Sequence, residues 1–330
     1  MSTPVGITEK PRPVTLVAGT ASWSTSPEGE AIRDEILEVM RGHNITKLDT
    51  ARRYGTSELA LGSKGLASEF QITTKFNAGP GSGKRDAVLA SAKTSFDALK
   101  VNKVEVYLLH APDETTPIEE TAHAIQVLYE EGRFKKFGLS NFSTAQTLEW
   151  YNYAKENNLV LPTVFQSQYS LAVRANETLL FPTLRKLGFH IQAYSPLAAG
   201  FLSKTPSDFE TAQGRWDPST LMGKFHRELF YRPSYLKLLE EFGKLSEQSG
   251  VSRVGLAYRW VAYHSVLKQE LGDEMILGAS SGKQFQQTVE EIEKGPLEHW
   301  VAEKIEELWD LVKDDPVDNV KAFKAVFGGV

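Results

Sequence analysis

The chain has 330 residues, 41% of them hydrophobic and 24% charged, with a formal net charge of −5 and no cysteine. That composition supplies a sizeable core and excludes disulfides, iron–sulfur clusters and thiol nucleophiles. The acidic balance speaks against a nucleic-acid partner, which needs a basic surface, and no apolar run approaches the roughly 20 residues that span a bilayer.

Residues 1–13 are polar and proline-bearing, without the apolar stretch of a signal peptide, and read as the flexible lead of a cytoplasmic protein. A first strand is expected over 14–21, then a helix over 30–43 with Ile32, Ile36, Leu37 and Met40 at helical spacing. A short strand at 47–51 is followed by a loop and a helix opening at Ser57. The next strand, 71–76, gives way to a glycine-rich loop over 78–83 and a helix carrying Val88, Ala92, Phe96 and Leu99 on one face. The strand at 104–110 is almost wholly apolar, as a parallel strand covered on both faces should be. Pro117 opens a helix that stops at Gly132.

The alternation continues with a strand at 136–141, a helix at 144–157, a strand at 162–169, a helix at 179–187 and a strand at 190–195. Residues 197–233 show little periodicity and scattered aromatics, so a long loop is expected there. Helices follow at 235–248 and 252–264, an eighth strand at 275–278, and helices at 284–294 and 300–313. Eight strands alternating with helices in about 300 residues predict a single α/β domain built as a (β/α)8 TIM barrel, with a long loop after strand seven and a C-terminal helix.

Gly79-Pro80-Gly81-Ser82-Gly83-Lys84 looks superficially like a phosphate loop, but Ala78 and Arg85 occupy two of its required positions. No G-x-G-x-x-G follows a strand, so a Rossmann site has no support. The seven histidines are scattered without metal-ligand spacing, and no Gly-x-Ser-x-Gly elbow is present. What remains is a tetrad of polar residues just beyond strands two, three and four. Asp49 ends one strand and Tyr54 lies in its loop, while Lys75 and His110 end the next two. Singly, each could be a cap, a solvated end or a satisfied core group. Together they occupy the edge where barrels carry out chemistry.

Asp49-Thr50-Ala51 through Tyr54, Gly55 and Ser57-Glu58, with Ile72-Thr73-Thr74-Lys75 and Leu108-Leu109-His110, resembles the signature of the aldo-keto reductase superfamily. Gly138-Leu139-Ser140-Asn141 is similar to its cofactor strand. Finer stretches, among them His110-Ala111-Pro112-Asp113, Tyr194-Ser195-Pro196-Leu197 and Ile276-Leu277-Gly278-Ala279-Ser280-Ser281, resemble the aflatoxin-aldehyde (succinic semialdehyde) reductase branch. The likeness runs over about 14–313.

The resemblance implies reduction of a small carbonyl substrate by NADPH, without a metal, in a detoxifying enzyme that forms a homodimer. Tyr54 would be the general acid, with Lys75 lowering its pKa, Asp49 positioning Lys75, and His110 orienting the carbonyl oxygen. By the same resemblance Ser140, Asn141 and Gln166 would hold the nicotinamide carboxamide, and Tyr194 would stack on its ring. Gly19, Thr20 and Asp49 would lie beside the cofactor, and Ser195, Leu197, Gly200 and Arg215 along its pyrophosphate. Gly278, Ser280, Ser281, Gln284, Gln287 and Thr288 would meet the adenosine end. Thr288 stands where the resemblance implies asparagine, and Lys283 is the one cation of that stretch. Trp23 would wall the substrate pocket, and Arg227 would meet a substrate carboxylate. Two other functions share the pattern: an aryl-alcohol dehydrogenase running in the oxidative direction, and a cofactor-sensing channel subunit without turnover.

Overall fold

The computed structural model describes residues 13–77, 79–210 and 214–327; the expected flexible lead lies outside them except for its last residue. Eight parallel strands close into a barrel in chain order. They are β1 (Thr15–Gly19), β2 (Lys47–Asp49), β3 (Gln71–Phe76), β4 (Val104–Leu109), β5 (Phe134–Ser140), β6 (Pro162–Gln168), β7 (His190–Tyr194) and β8 (Glu274–Gly278). β1 pairs with both β2 and β8, so no sheet edge is left. This is a (β/α)8 TIM barrel.

The first five helices are α1 (Pro27–Gly42), α2 (Ser57–Ser63), α3 (Arg85–Leu99), α4 (Ile118–Glu130) and α5 (Thr144–Glu156). α1 starts where Ser26 accepts the Gly29 N–H and Pro27 takes the first turn. α5 starts at a capping box between Ser143 and Gln146. The helix expected over 179–187 is two pieces, α6 (Asn176–Leu179) and α7 (Phe181–Lys186). Pro182 lacks the N–H that would carry one helix across the join.

Residues 197–233 are more ordered than their pattern predicts. They hold 3₁₀ turns at Ala198–Ser203, Pro206–Phe209 and Gly214–Trp216, then α8 (Leu221–Phe230). Phe201 gathers the pieces: its ring lies 5.7 Å from Phe209, 6.1 Å from Trp216 and 5.4 Å from Phe230. These partners come from separate short segments, so their spacing carries no period.

α9 (Pro233–Ser249) and α10 (Arg253–Arg259) follow, the latter continued by a π-helical turn over Trp260–His264. α11 (Gly282–Glu293) and α12 (His299–Trp309) complete the expected set. A further helix, α13 (Asn319–Phe327), was not expected from the sequence; it packs against α8, with the ring centroids of Phe327 and Phe225 6.1 Å apart.

The apolar core lies mainly between strands and helices. Tyr107 of β4 stacks there on Phe76, Phe96 and Phe134. The barrel interior is different. On one side Val106, Leu108 and Val164 form a small separate apolar cluster. Gly138 is required beside it, because a Cβ there would lie 2.4 Å from the Val164 carbonyl oxygen. Buried Asp49, Thr73, Lys75, Gln166, Gln192 and Glu274 make the remaining interior polar.

Candidate active site

The C-terminal ends of β2, β3 and β4 bring the tetrad together. Lys75 is fully buried and donates to Asp49 Oδ1 at 2.8 Å, to Asp49 Oδ2 at 2.7 Å and to the Thr50 carbonyl at 2.8 Å. Its ammonium lies 5.0 Å from the centroid of the Tyr54 ring. Tyr54 and His110 meet edge-on, with ring centroids 5.8 Å apart.

The charges act on one another through this geometry. Burial works against the Lys75 ammonium, but Asp49 and Tyr54 together raise its pKa above the ordinary lysine value. Burial raises the Tyr54 phenol, with Asp49 adding to it, and Lys75 offsets only part of the rise. The expectation that Lys75 brings Tyr54 below the ordinary tyrosine value is therefore corrected: desolvation wins, and the phenol keeps its proton. Burial pushes His110 down to about 3, helped by the charges of Lys75 and Arg53. His110 is thus a neutral imidazole at neutral pH. Its Nδ1 is buried with no hydrogen-bond partner among the described residues.

Above His110 opens a cavity of about 540 Å³, within the range of small-molecule sites. His110, Asn141, Tyr194 and Ser195 lie on its wall; Tyr54, Lys75 and Asp49 are not part of it and adjoin it through His110. Asn141 adopts the left-handed region with φ 62°. Its Nδ2 donates to the His110 carbonyl at 2.9 Å and to Ser140 Oγ at 3.1 Å, and its Oδ1 accepts the Tyr194 hydroxyl at 2.8 Å. It pins the loop ends of β4, β5 and β7 to one another. Gln166 Nε2 donates to Asp49 Oδ1 at 2.8 Å and to Gln192 Oε1 at 3.0 Å.

A model of the aldo/keto reductase family matches residues 15–310. The chain belongs to the aldo/keto reductase family. It is 44% identical over 284 residues to the oxidoreductase sirO of Leptosphaeria maculans, covering 85% of this chain and 86% of that one. It is 36% identical over 321 residues to aflatoxin B1 aldehyde reductase member 2 of Homo sapiens, covering 92% and 88% of the two chains. Member 4 of that human group is 35% identical over 302 residues, covering 87% and 90%.

Several residues singled out in the sequence of this aldo/keto reductase have other work. The Thr20 hydroxyl is buried in a knot with the Asp49 carbonyl, at 3.0 Å, and Ser57 Oγ, at 2.7 Å. Gly19 pairs in register with Asp49 and Gly278, and a Cβ on it would lie 3.1 Å from Ile276. Trp23 is 1% exposed and belongs to the core rather than the cavity wall. Arg227 is spent on the backbone, donating to the Trp216 carbonyl at 3.0 Å and the Phe209 carbonyl at 2.5 Å, and is absent from the wall. The substrate anchor expected of it is thereby corrected.

At the turn after β7, Ser195 and Gly200 have φ 57° and 89°, with half-buried Leu197 between them. Arg215 is exposed, and its charge is felt at the phenol of Tyr258, which also bonds Thr288. Tyr258 lies on α10 and Thr288 on α11. Gly278 and Gln287 are exposed there. Ser281 caps the helix by accepting the Gln284 N–H at 3.2 Å, and Gln284 Oε1 accepts from Ser280. Thr288 is buried, with its hydroxyl on the Gln284 carbonyl, so it is not displayed to a ligand.

Sequence reasoning missed part of the wall. Arg53, beside Tyr54, is its only lysine or arginine among the described residues. Asn319 and Phe323 reach it from α13, and Asn319 donates to Gln168 at 2.8 Å. Arg53 could have been found from its adjacency to Tyr54; the α13 residues had no such signal.

Proposed function

We propose that this aldo/keto reductase reduces aldehydes to alcohols, with NADPH as hydride source and Tyr54 as general acid. The observation that carries the reading is the buried Lys75–Asp49 pair beside the Tyr54 ring, beneath a cavity whose wall holds neutral His110. When bound, the dinucleotide supplies hydride to the carbonyl carbon.

The chain's own residues do the rest. His110 donates its one N–H to the carbonyl oxygen and holds it within reach of Tyr54. The Tyr54 phenol, kept protonated by burial, gives its proton as negative charge develops on that oxygen. Lys75 then stabilises the phenolate left behind, and Asp49 keeps Lys75 in place. A nicotinamide fits these residues: both N–H groups of Gln166 are engaged, so its carbonyl oxygen is the group that can receive a carboxamide N–H, beside buried Ser140. Tyr194 offers its ring on the cavity wall. Lys283 supplies positive charge for an adenosine 2′-phosphate, and Arg215 for the pyrophosphate. Arg53 favours an aldehyde that carries a carboxylate, and the names of the human relatives support an aldehyde over a ketone.

The test follows loss of NADPH absorbance with succinic semialdehyde, 2-carboxybenzaldehyde, 4-nitrobenzaldehyde and methylglyoxal, for the protein and for Tyr54→Phe. The substitution should lower turnover by about 10²–10⁴ and leave NADPH binding nearly unchanged. A variant that keeps more than half the original rate would remove Tyr54 from its role. Tight NADPH binding without turnover of any aldehyde would favour the sensing subunit.

A further inference from the structure

A single hydrogen-bonded line crosses the inside of the barrel from its lower rim to the tetrad. At the bottom Lys47 is ion-paired with buried Glu274, the first residue of β8. Glu274 Oε2 accepts from Gln192 Nε2 at 2.7 Å, Gln192 Oε1 accepts from Gln166 Nε2 at 3.0 Å, and Gln166 Nε2 also donates to Asp49 Oδ1 at 2.8 Å. Asp49 holds Lys75 at the top. The strands place these groups side by side, since Gln166 is in register with Gln192 and Gln192 with Glu274. The sequence of charges is cation, anion, amide, amide, anion, cation.

The order leaves no choice about which way each amide points. A carboxylate only accepts, so Gln192 must turn its nitrogen to Glu274 and its oxygen to Gln166. Gln166 must then turn its nitrogen toward both Asp49 and Gln192. Neither amide can flip without setting an oxygen against a carboxylate in a buried site. Gln192 is 1% exposed, and neither it nor Glu274 is on the cavity wall.

We propose that Gln192 and Glu274 are positioning residues that fix Gln166 with its carbonyl oxygen presented to the nicotinamide carboxamide. This rests on the cofactor reading above. Loss of the Gln192 acceptor leaves one buried Gln166 N–H without a partner, so that Asp49 alone orients the amide and its oxygen is held less rigidly.

The experiment measures dissociation constants by titrating the protein's tryptophan fluorescence with NADPH and with 2′-phospho-ADP-ribose, which keeps the adenosine end and lacks the nicotinamide. Gln192→Met should weaken NADPH by about tenfold and leave the fragment unchanged. Glu274→Gln keeps the shape, loses the charge that orients Gln192, and should show the same pattern at about threefold. It also serves as the test should Gln192→Met not fold. Equal weakening of cofactor and fragment, or no weakening of either, would overturn the inference. If the unsubstituted protein binds no nicotinamide dinucleotide, the cofactor reading itself fails and the inference falls with it.

Discussion

Lys75 and Arg227 are both cations seated near an aromatic ring, at 5.0 Å from Tyr54 and 4.8 Å from Tyr231. They serve different ends because their partners differ. Lys75 lies one residue from the end of β3, is fully buried and faces a carboxylate, so its charge is matched and fixed beside the Tyr54 phenol. Arg227 lies on α8 and faces two backbone carbonyls of the turns before it, so its charge ties a segment together. A buried cation beside a titratable group marks chemistry. A cation covering carbonyls marks architecture.

Breaking the Lys75 side of this comparison should have the largest effect. Lys75→Met leaves Asp49 buried without its counter-charge, a loss of about 3–5 kcal/mol, read as a lower midpoint of urea unfolding. Turnover should fall with it even at temperatures where the variant stays folded. A stable variant with normal turnover would mean that the ion pair serves neither purpose.

Arg227→Ala sharpens the other side. It should cost about 1 kcal/mol, because its two carbonyl acceptors lose their charged donor. KM for an acidic aldehyde should stay nearly unchanged, whereas Arg53→Ala should raise it. A selective rise in KM for acidic aldehydes in Arg227→Ala would restore the arginine to substrate binding.

A separate effect is on pH dependence. His110 titrates near 3 when folded, against 6.5 for an ordinary histidine. The unfolded chain therefore binds the extra proton first as the pH falls. The stability tied to neutral His110 is complete above about pH 6.5 and is lost progressively toward pH 3. His110→Gln should flatten that part of the stability curve relative to the unsubstituted protein. An unchanged slope would place the loss elsewhere.

How far the sequence reaches follows the same division. Asp49, Lys75 and His110 were legible because each ends a strong apolar or β-branched run, and eight such runs alternating with helices already imply a barrel. Their side chains converge as the strand ends require. The 197–233 segment was illegible as structure because Phe201, Phe209, Trp216 and Phe230 cluster from pieces too short to show a period. Arg227 was misread because an arginine in a loop carries no mark of whether a ligand or a carbonyl will meet it.

By itself, then, the order of residues determined the alternation of strands and helices, the polar residues at the C-terminal edge of the barrel and the likeness to a family. Those properties depend on local periodicity and on short motifs. Only the tertiary structure decided the rest. It set the net direction of the Tyr54 pKa, since burial and two opposing charges add there in space. It spent Arg227 on backbone, moved α13 over the cavity and strung Gln166, Gln192 and Glu274 into one line across three strands. Each of these depends on what residues distant in the chain bring to the same few ångströms, and no local pattern records that.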